Sequence, residues 1–171
     1  RSYLNPYWTI EELFQTTYKL KERKISFNQF INHYLSSVDI EIDEFRKKYP
    51  NQISGGQAQR IMIALILSKE PELIIADELT TGLDVSRQKK IINTFLKIHN
   101  EQPKLTMIFI SHDFGFLTHM VDEYYVLYGG FICEHITNNK QFSKIAKLHP
   151  YTQDLIESLT PNKNKSLVNE L

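Results

Sequence analysis

Cysteine is almost missing: Cys133 is the single one in 171 residues, which excludes an intramolecular disulfide framework and fits a reducing compartment. Neither sign of charge is in excess. Lys and Arg total 20, Asp and Glu total 20, so the balance does not argue for nucleic acid or an anionic membrane as the main partner. No apolar run approaches the roughly 18 residues a membrane span needs, and no signal peptide is visible. Glycine is scarce too. Its six positions (55, 56, 82, 115, 129 and 130) include no pair five apart and none before a lysine. The pattern G-x-x-x-x-G-K-[ST], which cradles nucleotide phosphates, is therefore absent. So is any internal repeat. The chain also opens on Arg1, not Met, directly in polar and aromatic sequence, which suggests a piece of something longer.

What is present centres on residues 53–78. Ser54-Gly55-Gly56-Gln57 leads into about three turns of mostly apolar residues, Pro71 breaks the run, and Leu73-Ile74-Ile75-Ala76 precedes Asp77 and Glu78. A serine at a helix start caps the first turn, and two glycines beside it let another group approach the backbone. That geometry suits an anion, above all a phosphate. The apolar tetrad reads as a short buried strand delivering two carboxylates at its C-terminal end, where open α/β sheets keep their ligands. Two acids after a strand are, on their own, commonest as solvated loop charge; beside an anion seat they suggest nucleotide and magnesium chemistry.

Thr9-Ile10-Glu11-Glu12 has capping-box spacing and predicts a helix through about Lys21. Lys19, Lys21, Arg23 and Lys24 read as a solvated helix end. Phe27, Phe30, Ile31, Tyr34 and Leu35 predict a second amphipathic helix, and a third is expected over about Asp39–Lys48. After a polar turn at 79–84 the pattern predicts a helix over Ser86–Asn100, with Ile91, Ile92, Phe95, Leu96 and Ile98 near one face. A buried parallel strand over Leu105–Ile110 then ends at Ser111-His112-Asp113, and a short helix lies around 114–120. A third strand, Tyr124–Tyr128, is followed by Gly129-Gly130 and a hairpin partner at Phe131–Glu134. Helices over 139–148 and 151–159 follow, with a disordered tail from Pro161. The fold class expected is α/β with a parallel sheet.

The order of these motifs resembles the ATP-binding subunit of an ABC transporter: SGGQ, strand plus Asp-Glu, Gly-Leu-Asp turn, strand plus Ser-His-Asp. The likeness runs from Tyr3 to about Leu159. The flanks Ser2-Tyr3-Leu4-Asn5-Pro6, Tyr49-Pro50, Leu83-Asp84-Val85 and His149-Pro150-Tyr151-Thr152 are similar to the peptide and nickel importer branch. The resemblance implies three regions: a helical subdomain with the signature helix over 1–70, the second half of a RecA-like core over 71–148, and a C-terminal helix and tail over 149–171. Ser54, Gly55, Gly56 and Gln57 match the signature that contacts the γ-phosphate of ATP held by an opposing subunit. Asp77 matches the aspartate that holds Mg²⁺, Glu78 the base that polarises the attacking water, and His112 the switch histidine. Asp84 matches the aspartate that couples two sites across a dimer; on its own it reads as a helix N-cap.

Leu79 stands where most of that family has proline, Gly82 where this branch often has alanine, and Ile53 replaces leucine. With Cys133 alone, no iron–sulfur site is expected. The resemblance implies an ATP-hydrolysing importer subunit for peptides, nickel or another metal chelate, with ATP and Mg²⁺ as ligands. It also implies a second ABC ATPase subunit, homo- or heterodimeric, and integral membrane permease subunits as partners, on the cytoplasmic face of the cell membrane. Without the phosphate cradle the chain alone is expected to bind ATP weakly or not at all. The alternative reading is a truncated interaction module that at most lends its signature to a partner ATPase.

Overall fold

The computed structural model describes residues 4–80, 84–112, 117, 120–137 and 148–159. The turn at 81–83, most of the helix expected around 114–120, the helix expected over 139–148 and the tail from Pro161 lie outside the described residues. The chain divides into two compact units, residues 1–76 with 82–108, and residues 77–81 with 109–171.

Three helices build the core of the first unit, and each starts with the same device. In α1 (Ile10–Tyr18), Thr9 accepts from the Glu12 N–H while the Glu12 carboxylate accepts from the Thr9 N–H at 2.7 Å. Ser26 and Gln29 do the same for α2 (Phe27–Ser37), and Ser54 and Gln57 for α4 (Gly55–Leu67). Each box satisfies backbone donors that the first turn leaves without intrahelical partners. The third expected helix contracts to the single turn α3 (Ile42–Phe45), followed by a 3₁₀ turn at Pro50–Gln52. Ile10, Leu13 and Phe14 of α1, Phe30, Ile31 and Leu35 of α2, and Ile61, Ala64 and Leu67 of α4 are buried. Phe30 meets Tyr18 and Tyr34 edge-on at 5.2 and 5.0 Å. A buried hydroxyl pair, Ser68 donating to Thr17 at 2.9 Å, ties the end of α4 to α1.

The basic run after α1 is not simply a solvated helix end. Lys21 (2.9 Å) and Arg23 both pair with Glu70 just beyond α4, and Arg23 also donates to the Ser68 carbonyl at 3.1 Å. The Arg23 side chain is 9% exposed and lies 4.4 Å over the Phe30 ring. Burying the guanidinium against an aromatic face and a helix C-terminus requires an acid partner. Glu70 supplies it, from the left-handed region at φ 54. Its hydrogen bonds from Lys21 and then Arg23 hold the carboxyl below its usual range. The resulting stability is therefore present above the ordinary carboxylate pKa and is lost as pH falls through the lowered one. Glu70→Gln is expected to cost about 1 kcal/mol near neutral pH, small because the acid is half exposed. In urea melts the difference from wild type should shrink on acidification; a difference independent of pH would contradict the ion-pair assignment.

The chain continues through β1 (Leu73–Asp77), α5 (Val85–Glu101) and β2 (Thr106–Ile110), of which residues up to Ala76 and up to Ile108 belong to the first unit and the strand ends to the second. α5 buries Ile91, Thr94, Phe95 and Ile98. β1 pairs with β2, and the strands run parallel: the Thr106 N–H donates to Glu72 O and the Glu78 N–H to Ile110 O. Both were expected to be fully buried. Instead each alternates: Ile74 and Ala76 are buried, whereas Leu73, Ile75, Thr106, Ile108 and Ile110 are exposed. An apolar run shows that a strand can be covered on both faces, not that this chain does the covering.

In the second unit, β3 (Tyr124–Tyr128) does not join the parallel pair. It is antiparallel to β4 (Phe131–Ile136), with a bulge after Val126, so the expected third strand and its hairpin partner are both present. Gly129 (φ 59) and Gly130 (φ 85) make the two-residue turn, whose positive φ values glycine adopts without strain. Tyr124 and Ile136 pack with Leu117, Val121, Leu148 and Ile156, the last from α6 (Pro150–Leu159). Burial pushes the Tyr124 phenol up to about 12.

Candidate functional site

The Ser54 corner is open. Ser54 and Gly55 are exposed and Gly56 half-buried. The Ser54 N–H donates to the Gln57 side-chain oxygen at 2.9 Å and the Gln57 N–H to Ser54 Oγ at 3.3 Å. The N–H groups of Gly55 and Gly56 stand in the first turn, where the helix provides no carbonyl for them. A Cβ built on either glycine meets nothing within 4 Å, and neither has a positive φ. Each glycine costs the helix about 1 kcal/mol relative to alanine. Among the described residues nothing requires either glycine, and the space above the first turn is open.

Beside this corner is a cleft of about 220 Å³, lined by Ser54, Gly56, Gln57, Arg60, Arg87 and Lys90 among others. Sequence reasoning did not single out its three cations. The signal available was the spacing of Arg87 and Lys90, one turn apart at the start of α5; nothing local brings them to α4. Arg60 is held by its donations to the Val38 (3.1 Å) and Asp39 (2.9 Å) carbonyls. Asp39 takes a left-handed backbone at φ 56 and faces Lys97 at 3.6 Å. A helix start plus three cations favours a negatively charged visitor.

Asp84 is the N-cap of α5. Its carboxylate accepts from the Arg87 N–H at 3.0 Å and pairs with Arg87 Nε at 3.1 Å. The cap accounts for an acid at this position without reference to a partner chain.

In the second unit the expected base and switch residues meet directly. His112 Nδ1 lies 3.0 Å from Glu78 Oε1. A carboxylate only accepts, so Nδ1 carries the proton. Glu78 follows β1 at φ 49, a left-handed conformation that a non-glycine residue adopts at some cost. Its N–H donates to Ile110 O at 2.9 Å, which fixes the end of β1 to the end of β2, two residues before His112. Both side chains remain accessible, 43% for Glu78 and 74% for His112. An acid and an imidazole in contact at the C-terminal ends of parallel strands can orient a water and take its proton.

Asp77, the last residue of β1, is exposed. Among the described residues no three His, Cys, Asp or Glu cluster as a metal cage. Mg²⁺ is usually held by one or two carboxylates, with water and phosphate oxygens completing the shell. Asp77 fits as such a carboxylate.

The model of the family described as "ABC transporter" matches residues 3–81. The oligopeptide transport ATP-binding protein OppD of Mycoplasma genitalium is 38% identical over 168 residues, covering 91% of this chain and 41% of that protein. AppF of Bacillus subtilis, also an oligopeptide transport ATP-binding protein, is 38% identical over 171 residues, covering 96% of this chain and 50% of AppF. Among solved structures, the dimeric MJ0796, described as a bacterial ABC transporter cassette, superposes with a TM-score of 0.64 at 27% identity; 79% of this chain matches 59% of that one. The chain thus spans about half the length of the curated relatives it matches. It is part of an ABC transporter ATP-binding domain, and its relatives are those of the peptide-importer branch.

Proposed function

We propose that the complete protein hydrolyses ATP to drive import of peptides, and that this chain supplies it with signature, metal, base and switch residues. The observation that carries this reading is the Glu78–His112 contact at the strand ends, a catalytic pairing with no evident packing role since both groups are exposed. Glu78 takes the proton of the attacking water; His112, donating through Nδ1, holds the carboxylate in place while the γ-phosphate approaches. Asp77 would help to hold Mg²⁺, which would supply charge neutralisation for phosphoryl transfer. The Ser54-Gly55-Gly56 corner with Gln57 receives the γ-phosphate of ATP carried by a second ATP-binding subunit, and Asp84 lies at the seam between the two. Permease subunits complete the assembly at the cytoplasmic face of the membrane. Among the described residues no helix is long and apolar enough to cross a membrane, and the chain is peripheral on this reading.

Oligopeptides are favoured over nickel because the relatives named above are oligopeptide transport proteins. The chain alone is expected to bind ATP weakly, since its glycines form no phosphate cradle. That absence also sustains the second reading, an interaction module that lends its signature to a partner's cradle. The test is Mg²⁺-ATP turnover by the complete subunit beside its Ser54→Arg variant. Filling the open corner should lower turnover at least about ten-fold, the loss of one well-placed anion contact. Unchanged turnover would remove the corner from catalysis.

A further inference from the structure

The first turns of α5 carry two cations that the Ser54 corner does not use. Arg87 and Lys90 stand one turn apart and line the same cleft as Arg60 of α4, and no carboxylate is among the lining residues. Asp84 engages the Arg87 side chain through Nε, at 3.1 Å, which leaves the two terminal nitrogens of that guanidinium available. Arg60 is anchored through Nη1 alone, on the Val38 and Asp39 carbonyls. Among the described residues the Lys90 ammonium has no partner. Arg87 and Lys90 are exposed, so packing calls for neither. Three positive groups around one space repel one another, a cost that a bound anion removes.

The cleft measures about 220 Å³, less than the roughly 300–1,000 Å³ of pockets that enclose drug-sized ligands. It suits one small anion better than a whole nucleotide. A dianion also answers three cations better than a carboxylate does, and a tetrahedral oxyanion can meet guanidinium forks and an ammonium together.

We infer that Arg87 and Lys90, with Arg60, form a seat for a phosphate dianion beside the Ser54 corner. Such a group has two sources: the terminal phosphoryl of a bound ATP, or the orthophosphate released when ATP is hydrolysed. The place of the seat in a catalytic cycle rests on the reading proposed for the corner. The seat itself rests on the cleft and its cations, and its test involves no hydrolysis. Orthophosphate is titrated into the 171-residue chain by calorimetry at constant ionic strength, with inorganic tripolyphosphate in a parallel arm and acetate as competitor. One orthophosphate should bind per chain, and acetate should not displace it. Lys90→Gln and Arg87→Gln should each weaken binding at least about five-fold, the loss of a hydrogen bond to a charged group. Lys24→Gln, the same charge change at an exposed lysine outside the cleft, should leave it unchanged. Without phosphate, Lys90→Gln should melt no lower than wild type, because it relieves repulsion and the two residues have similar helix propensity. Tripolyphosphate binding tighter than orthophosphate assigns the seat to the phosphoryl group of the nucleotide; equal or weaker binding assigns it to the released ion. No saturable binding of either probe, displacement by acetate, affinity unchanged in both cleft variants, or equal loss with Lys24→Gln would overturn the proposal. So would a Lys90→Gln chain melting well below wild type, which would make the lysine a structural residue.

Discussion

Glu78→Gln in the complete subunit should lower kcat for ATP by about 10²–10⁴-fold, the usual contribution of a positioned general base, while leaving KM close to wild type. Glutamine has nearly the size and shape of glutamate and can still accept from His112 Nδ1 through its side-chain oxygen. The 3.0 Å contact and the fold around it should survive. What disappears is the capacity to take a proton. Because the loss falls on the transition state and not on ground-state binding, kcat and kcat/KM should fall together. The left-handed backbone of Glu78 sharpens the test. That strain is tolerated by glutamine about as well as by glutamate, so any loss belongs to the carboxylate. A rise in KM at constant kcat would make Glu78 a binding residue instead.

Phe30→Ala should destabilise the chain by about 3–5 kcal/mol, the cost of emptying a large aromatic site in a packed core. The ring is wholly buried, meets Tyr18 and Tyr34 edge-on and supports the Arg23 guanidinium. Its removal leaves a cavity and also takes the aromatic face from a largely buried cation. Total stabilities of single domains run about 5–15 kcal/mol, so this substitution should take away a large share. Urea denaturation of the 171-residue chain measures it. A loss under about 1 kcal/mol would mean that α1, α2 and α4 do not form the closed core described here.

The helices were legible because their signals are local. Thr9 with Glu12, Ser26 with Gln29 and Ser54 with Gln57 each place both halves of a capping box within four residues; from sequence the first reads as a box and Ser54 as a cap alone. The hairpin was legible from Gly129-Gly130 for the same reason. A two-residue turn makes β4 the neighbour of β3 ahead of any distant strand, so the partner of Tyr124–Tyr128 is legible with it. Arg23 reads as solvated charge until Glu70, distant in sequence, is brought to it. The site divides along the same line. The motifs give Glu78 and His112 as candidates, yet only the β1–β2 pairing puts them in contact, and only the fold places Arg60, Arg87 and Lys90 around the Ser54 corner. The exposure of Leu73, Ile75 and Ile108 is invisible to pattern reading, which registers hydrophobicity without registering what covers it.

The central claim is that the Ser54 corner serves a nucleotide held by another chain, and mixing two disabled forms of the complete subunit tests it most directly. One form carries Ser54→Arg with its own phosphate cradle intact; the other keeps Ser54 but has its cradle lysine replaced. Each alone should be nearly inactive, because every site it builds lacks one half. Mixed one to one, the hybrid pairs contain one site made of two sound halves, and turnover should return to about a quarter of wild type by random pairing of subunits. A mixture no more active than its parts, or a Ser54→Arg form as active as wild type, would contradict a site shared between chains.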